Sequence, residues 1–374
     1  MLTVRLKRRS QPLTSPLAKG LLIVGPMVLA LLVCAVPVML SGANPWYAYS
    51  VMFAGAFGSL DGIADVVMRA TPLLLTALGT TVAFKGGQWN IGGDGQIYFG
   101  ALGATLTGLA FQGLPLWLHL PLAIAGGFLG GALWALPAAL LKAGRGVSEI
   151  ITTLMLNYIA VFFISYLVKG PLQGPSEFMP QTATIPETAR LPLLFEGFRL
   201  HGGTVVALLL VVAVYFLLQR TSLGYNFRAV GENPKASRYG GIKVSLVIIL
   251  IMSISGGLSG LAGANEVLGY HYRLFDGISP GYGFTGIIVA LLGRLNPFGV
   301  LASSVLFSGL IVGANEMQRV VGVPTAIAGI IQATIVLFVL GAEMLVDYRI
   351  AITRKNPRPA ISGKGATGAS SSTL

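Results

Sequence analysis

Runs of apolar residues recur along the chain, divided by short polar breaks. They cover residues 20–40, 72–84, 97–111, 116–141, 147–168, 204–218, 244–267, 283–292, 298–314 and 323–346. A helix needs about 20 apolar residues to cross a hydrocarbon core about 30 Å thick. The pattern therefore predicts an all-α, polytopic membrane protein with about ten transmembrane helices, some short or broken. The run at 72–84 is expected to begin earlier, inside a mixed segment, 41–71, that carries Asp61, Asp65 and Arg69. The first run is longer than the apolar core of a cleaved signal peptide, about 7–15 residues, so it reads as a retained span. Gly126, Gly127, Gly130 and Gly131 set small residues four apart, which suits close helix contact. SGLAGANE at 259–266 and SGLIVGANE at 308–316 look alike, and chance among small residues explains them adequately.

The polar breaks carry the candidate chemistry. The most distinctive runs from 219 to 243 and holds Arg220, Arg228, Lys235, Arg238 and Lys243 against a single acid, Glu232. Its middle predicts a helix of about two turns. Asn233 is placed to cap it, Pro234 suits the first helical position, and Gly240 or Gly241 suits its end. A helix that short needs a surface to lie on. Gly231, just before it, is expected to hold a conformation costly for a bulky residue. The second break, 84–95, reads FKGGQWNIGGDG. Such glycine density opposes a helix interior, and irregular backbone at membrane depth persists only inside protein or beside a wet cavity. Asn90, Asp94 and Gln96 are thus candidates to line a path, the alternative being that Asp94 caps the next span and Asn90 holds a turn. Asn265 and Glu266 are candidates for the same path. With His271, Asn315, Glu316 and Gln318 they fall at span ends, where solvated helix termini are the simpler expectation. His119 and His201 read as loop or interfacial residues.

Composition narrows the classes. Of 374 residues, 54% are hydrophobic and 10% charged, with a net charge of +12; soluble domains carry about 25% charge. The basic residues cluster in short loops rather than on one soluble face, which excludes a nucleic-acid partner. With the N-terminus in the cytoplasm, 19 of the 25 basic residues fall inside, leaving Arg69, Lys169, Arg190, Arg199, Arg273 and Arg319 outside. Both termini are then cytoplasmic: 1–19 is a basic tail, 20–348 the membrane domain, and 349–374 a Gly/Ser-rich tail expected to be disordered. The lone Cys34 gives no disulfide framework. The sequence has no HExxH, CxxC, serine elbow or phosphate loop. An enzyme is not expected, and no metal or cofactor is assigned to the chain.

The run RAVGENPKASRYGGI resembles the coupling loop of permease subunits in bacterial ABC importers, in the group that moves branched-chain amino acids, pentoses and nucleosides. The match rests on Arg228, Ala229, Gly231, Asn233, Pro234, Ala236, Gly241 and Ile242, with Ser237 where a second alanine is usual. NIGGDGQ at 90–96 is similar to the N-I-G-A-E-G-Q of nucleoside permeases, with Gly93 and Asp94 as departures, and 281–310 also looks like that subgroup. The resemblance implies that Arg228, Gly231, Glu232, Asn233, Pro234, Ala236, Ser237, Tyr239 and Gly241 meet a separate ATPase subunit. ATP would be hydrolysed there and not in this chain. It also implies a second homologous permease chain, an extracytoplasmic binding protein or lipoprotein, a small-molecule substrate, surrounding lipid, and a place in the bacterial inner membrane. A nucleoside is the expected substrate, and a sugar or branched-chain amino acid the alternative. A stand-alone secondary transporter fits less well, because nearly all charges sit at span ends.

Overall fold

The computed structural model describes residues 2–8, 16–175, 179–195 and 197–354. In chain order these form β1 (Leu2–Arg8), α1 (Pro16–Leu40), α2 (Pro45–Phe57), α3 (Leu60–Lys85), α4 (Gly93–Ala110), α5 (Leu116–Arg145) and α6 (Glu149–Lys169). They continue through α7 (Gly203–Arg220), α8 (Ser222–Glu232), α9 (Pro234–Tyr239), α10 (Val244–Asn265), α11 (Tyr282–Leu292), α12 (Pro297–Val321), α13 (Thr325–Asp347) and β2 (Tyr348–Arg354). Each of the ten apolar runs lies on a helix. Among the described residues six helices are long and apolar enough to cross a membrane: α3, α5, α6, α7, α10 with its continuation to His271, and α12. A bend of 112° separates Gly25–Leu40 from α2, and the pair makes a seventh if it is one span. At 11 residues α11 is a half-helix.

The segment read as mixed, 41–71, is helical for most of its length. Asn44 caps α2 by accepting from Trp46 N, and Ser59 caps α3 by accepting from Gly62 N. The helix α3 is the central one, buried without interruption from Ala70 to Ala83. Its polar positions are satisfied inside the helix: the hydroxyls of Thr71, Thr76, Thr80 and Thr81 donate to the carbonyls of Val67, Pro72, Thr76 and Ala77. Such back-bonding lets polar residues sit in an apolar core. The helix's own Leu73 and Leu78 are fully buried, as are Ile97, Phe227, Ile251 and Phe307 of neighbouring helices. Between α4, α5 and α10, small residues let backbones touch. A side chain on Gly100 or Gly131 would run into the Gly260 backbone, the close approach that glycine spacing permits. Phe162 on α6 and Leu209 on α7 point outward with most of their surface bare, as lipid-facing side chains do.

The described residues between 170 and 202 are tied to the stretch that follows α10. Thr182 N, Ile185 N and Leu191 N donate to the carbonyls of Leu274, Tyr272 and Leu268. Lys169 Nζ meets Asp276 Oδ2 at 2.8 Å, and Ser165 Oγ donates to the same oxygen. The Lys169 ammonium holds the Asp276 carboxyl below its ordinary range.

The described residues 2–8 and 16–29 form a separate unit with the described residues 337–354. Within it β1 and β2 pair antiparallel, Leu2 opposite Arg354 and Arg8 opposite Tyr348. Residues 349–354, read as the start of a disordered tail, belong to this ribbon. The remainder of that tail, 355–374, and residues 9–15 of the basic tail lie outside the described residues.

Candidate functional site

The polar break 219–243 folds as two helices, where the sequence suggested one. Thr221 caps α8, accepting from Gly224 N. Asn233 ends α8 and starts α9, its Oδ1 accepting from Lys235 N and Ala236 N at 3.1 and 3.0 Å. Pro234 is the first residue of α9. The helix ends at Gly240, and the next residue, Gly241, takes the left-handed conformation at φ +84°. Phe227 and Val230 anchor α8 in the core with no exposed surface. Around α9 the situation is reversed. Glu232, Asn233, Pro234 and Ala236 are exposed, Ser237 alone is buried, and Tyr239 is 95% exposed. Arg228 is half-buried, with Nη1 lacking a partner among the described residues.

Gly231 needs a correction. It is an ordinary helical residue of α8, not one in a costly conformation. Its constraint is a close approach: a Cβ there would lie 2.5 Å from the Lys85 carbonyl oxygen and 2.9 Å from Gly86 C and Gly87 N. The exposed helix pair is therefore seated, backbone on backbone, against the turn that ends α3.

That turn leads into the second break. Asn90 and Gln96 exchange side-chain hydrogen bonds, Nδ2 to Oε1 at 3.0 Å and Nε2 to Oδ1 at 2.9 Å. Asn90 Nδ2 also donates to Ser255 Oγ, and its Oδ1 accepts from Gly92 N. Both are buried. They hold the turn, which is the structural alternative set out above. Asp94 is buried as well, but it caps a different helix from the one it begins. Its Oδ1 accepts from Ser279 Oγ at 2.7 Å and from Gly283 N at 3.0 Å. The residue preceding α11, Gly281 at φ +89°, offers no side chain to cap that helix. Asp94 supplies the cap from α4. It lies at the N-terminal ends of both α4 and α11, where negative charge is favoured. A half-helix of 11 residues is about 16 Å long, half a bilayer core.

Asn265 and Glu266 are not solvated helix ends. Both are buried, at 4% and 7% exposure. After Asn265 the helix widens to a π-helical turn, Glu266–His271, and Tyr272 follows at φ 56°. Wide turns of this kind mark functional positions often enough to direct attention to what surrounds them. Asn265 faces a void of about 20 Å³ beside Gly203 and Leu75, large enough for roughly one water. Glu266 faces elsewhere, into a pocket of about 270 Å³ shared with Arg69, Tyr270, His271, Phe275 and Tyr282. Glu266 Oε2 lies 3.4 Å from His271 Nε2. The His271 ring packs edge-on against Tyr270 and Phe275, and Arg69 hydrogen-bonds Tyr282. Arg69 also lines a polar cavity of about 680 Å³ between α2, α3 and α12, with Asp61, Asp65, Asn315, Glu316 and Arg319. The wide polar cavity therefore adjoins the narrow aromatic pocket at Arg69.

Asn90, Asp94 and Gln96 line neither cavity, so the five path candidates do not come together. Arg69 and Tyr282 were not candidates in the sequence: Arg69 was read only as one of three charges in the mixed segment 41–71, and nothing in GYG marks a pocket wall. The two histidines are also corrected. His119 and His201 have at most 1% exposure. His119 Nδ1 is 2.8 Å from Thr188 Oγ1. His201 Nδ1 accepts from Gly203 N, and burial pushes the imidazole down to about 4.

The bundle of buried, partly broken apolar helices, six of them long enough to span, is that of a multi-pass membrane protein. The chain belongs to the family described as branched-chain amino acid transport system / permease component, which it matches over residues 62–340. It is similar to a glucose ABC transporter permease of Haloferax volcanii, 36% identical over 88% of this chain and 90% of that protein. A guanosine ABC transporter permease of Bacillus subtilis is 38% identical, over 84% and 90% of the two chains. A nucleoside ABC transporter permease of Lactococcus lactis is 34% identical, over 84% and 88%. This protein is an ABC transporter permease component.

Proposed function

We propose that the chain forms the substrate path of an ATP-driven importer for nucleosides. The observation that carries this is the similarity, over 84% of the chain, to the guanosine and nucleoside permeases. The seven residues 90–96 support it from the sequence side. The helix pair α8–α9 faces the cytoplasm and docks on an ATPase subunit, with both chain termini on the same side. A second, homologous permease chain completes the path, and a binding protein or lipoprotein delivers substrate to the opposite face. ATP-driven closure of the ATPase pair moves α9, and the spans alternate between outward- and inward-open states. Substrate is released because the two states differ in affinity for it.

A sugar is the second reading, because the Haloferax relative is named for glucose. Deleting the gene and restoring it on a plasmid decides between them. Uptake of labelled guanosine or adenosine should be lost and recovered, with glucose, ribose and leucine uptake unchanged. Loss of glucose uptake alone would transfer the assignment to sugars.

A further inference from the structure

We infer that the 270 Å³ pocket around Glu266 is a nucleobase site built for the guanine edge. The inference rests on the nucleoside reading and adds which base is preferred and which residues choose it. The pocket has the two features that recognising a base requires. Its walls are aromatic, from Tyr270, His271, Phe275 and Tyr282, and stacking on such rings holds any base. Two of its polar groups are of opposite sign, the Glu266 carboxylate and the Arg69 guanidinium. Glu266 lies 3.4 Å from His271 Nε2 and Arg69 bonds Tyr282, so a base takes over part of what these neighbours hold. Small-molecule sites are mostly apolar, with a few placed polar groups that fix orientation.

The signs specify the base. Guanine presents two adjacent donors, N1–H and the 2-amino group, and a carboxylate offers two acceptor oxygens in matching geometry. On its other side guanine presents O6 and N7, both acceptors, which a guanidinium matches. Adenine fits the first position not at all and the second only through N7. Its N1 is an acceptor and would face the carboxylate, while its 6-amino group would face the guanidinium. Inosine keeps O6, N7 and N1–H and loses only the 2-amino donor. The volume accommodates the base, and the ribose then extends past Arg69 into the 680 Å³ cavity, where Asp61, Asp65 and Asn315 offer acceptors for its hydroxyls.

Asp94 is a positioning residue for this site. It ties down Ser279 and Gly283, which flank Pro280 and Tyr282 in the pocket wall.

The test is uptake of labelled guanosine, inosine and adenosine by cells carrying the full importer, with the binding protein unchanged. Ratios between substrates in one strain are independent of expression level. In Glu266→Gln the side chain gains a donor where guanine also donates. Guanosine uptake relative to adenosine should fall on the order of 10- to 100-fold, the size of one charge-assisted hydrogen bond, and inosine should fall less. Arg69→Gln gives an independent reading and should weaken guanosine and inosine together against adenosine. An unchanged guanosine-to-adenosine ratio, in whichever variant reaches the membrane, overturns the pocket assignment while nucleoside transport stands. A wild type that takes up glucose and no nucleoside overturns the nucleoside reading itself.

Discussion

The contact between Gly231 and the end of α3 gives the sharpest prediction. Replacing Gly231 with alanine adds one methyl group, which would sit 2.5 Å from the Lys85 carbonyl oxygen and 2.9 Å from two further backbone atoms. Ordinary van der Waals contact begins near 3.4 Å, so a displacement of about 1 Å is needed. Backbone cannot swing away as a side-chain tip can. On one side α8 is fixed by the fully buried Phe227 and Val230. On the other, a side chain on Gly86 would collide with Ile251, so the turn has little room to retreat. Overpacking of this kind costs about 1–3 kcal/mol. Tyr239→Ala is the matched control. The ring is 95% exposed, so its loss should change the stability of the isolated chain by less than about 0.5 kcal/mol. If it anchors α9 in a partner, truncation should cost on the order of 2 kcal/mol of binding, about 30-fold in affinity. Two measurements separate the effects: thermal unfolding of the chain in detergent, and substrate-stimulated ATP hydrolysis by the reconstituted importer. Gly231→Ala should lower the melting temperature and weaken stimulation; Tyr239→Ala should weaken stimulation and ATPase retention alone. An unchanged melting temperature in Gly231→Ala would refute the close-approach argument. Full stimulation and retention in Tyr239→Ala would refute docking through α9.

Three further outcomes are expected. Asn233→Ala removes the cap of α9 and should cost about 1 kcal/mol, read as faster amide exchange at Lys235 and Ala236. Asp94→Asn keeps an acceptor for Ser279 and Gly283 and should reach the membrane, whereas Asp94→Leu leaves buried donors unpaired at about 1–3 kcal/mol each and should lower the melting temperature or the yield; equal behaviour of the two would remove the capping role. His201 has a folded value of about 4 against an ordinary 6.5, so the unfolded chain binds the extra proton. Its contribution is complete above pH 6.5 and is lost as pH falls toward 4, at up to about 1.4 kcal/mol per unit; the melting temperature of wild type should drop more steeply between pH 7 and 5 than that of His201→Gln, and parallel profiles would contradict it.

What was legible in the sequence was local. Asn233, Pro234 and Gly241 act within a few residues of themselves, so the ends of α9 could be read from spacing alone. The ten helical runs were readable for the same reason, since apolar length is a property of a segment. Whatever depended on a distant partner was not. Gly231 was singled out for its backbone freedom, yet its constraint lies 145 positions earlier in the chain, around 86. Asp94 looked like a cap for its own helix because nothing local points to Ser279. Asn265 and Glu266 looked solvated because they end an apolar run; the segment 170–202, which hydrogen-bonds to the stretch just after them, is polar and patternless in sequence.

These long-range contacts also join the two places to which function is assigned by proposal, the helix pair and the Glu266 pocket. The helix pair presses Gly231 onto the turn 85–87. The chain continues from that turn to Asn90, locked to Gln96, and on to Asp94. Asp94 holds Ser279 and Gly283, and Tyr282 between them lines the pocket with Glu266. Asn90, Gln96 and Asp94 are themselves buried, while Gly87 and Trp89, in the stretch that leads to them, are exposed. Contiguity alone does not make a coupling pathway, which requires an element with two arrangements that both ends bias. The break 86–92 is the segment suited to that part: it is non-helical backbone with Gly87 and Trp89 exposed, held by the side-chain bonds between Asn90 and Gln96. A rigid helix through the same region would transmit a push from α9 as a tilt of all of α3. A hinged break can move the start of α4, and with it the Asp94 latch, while α3 stays packed in the core.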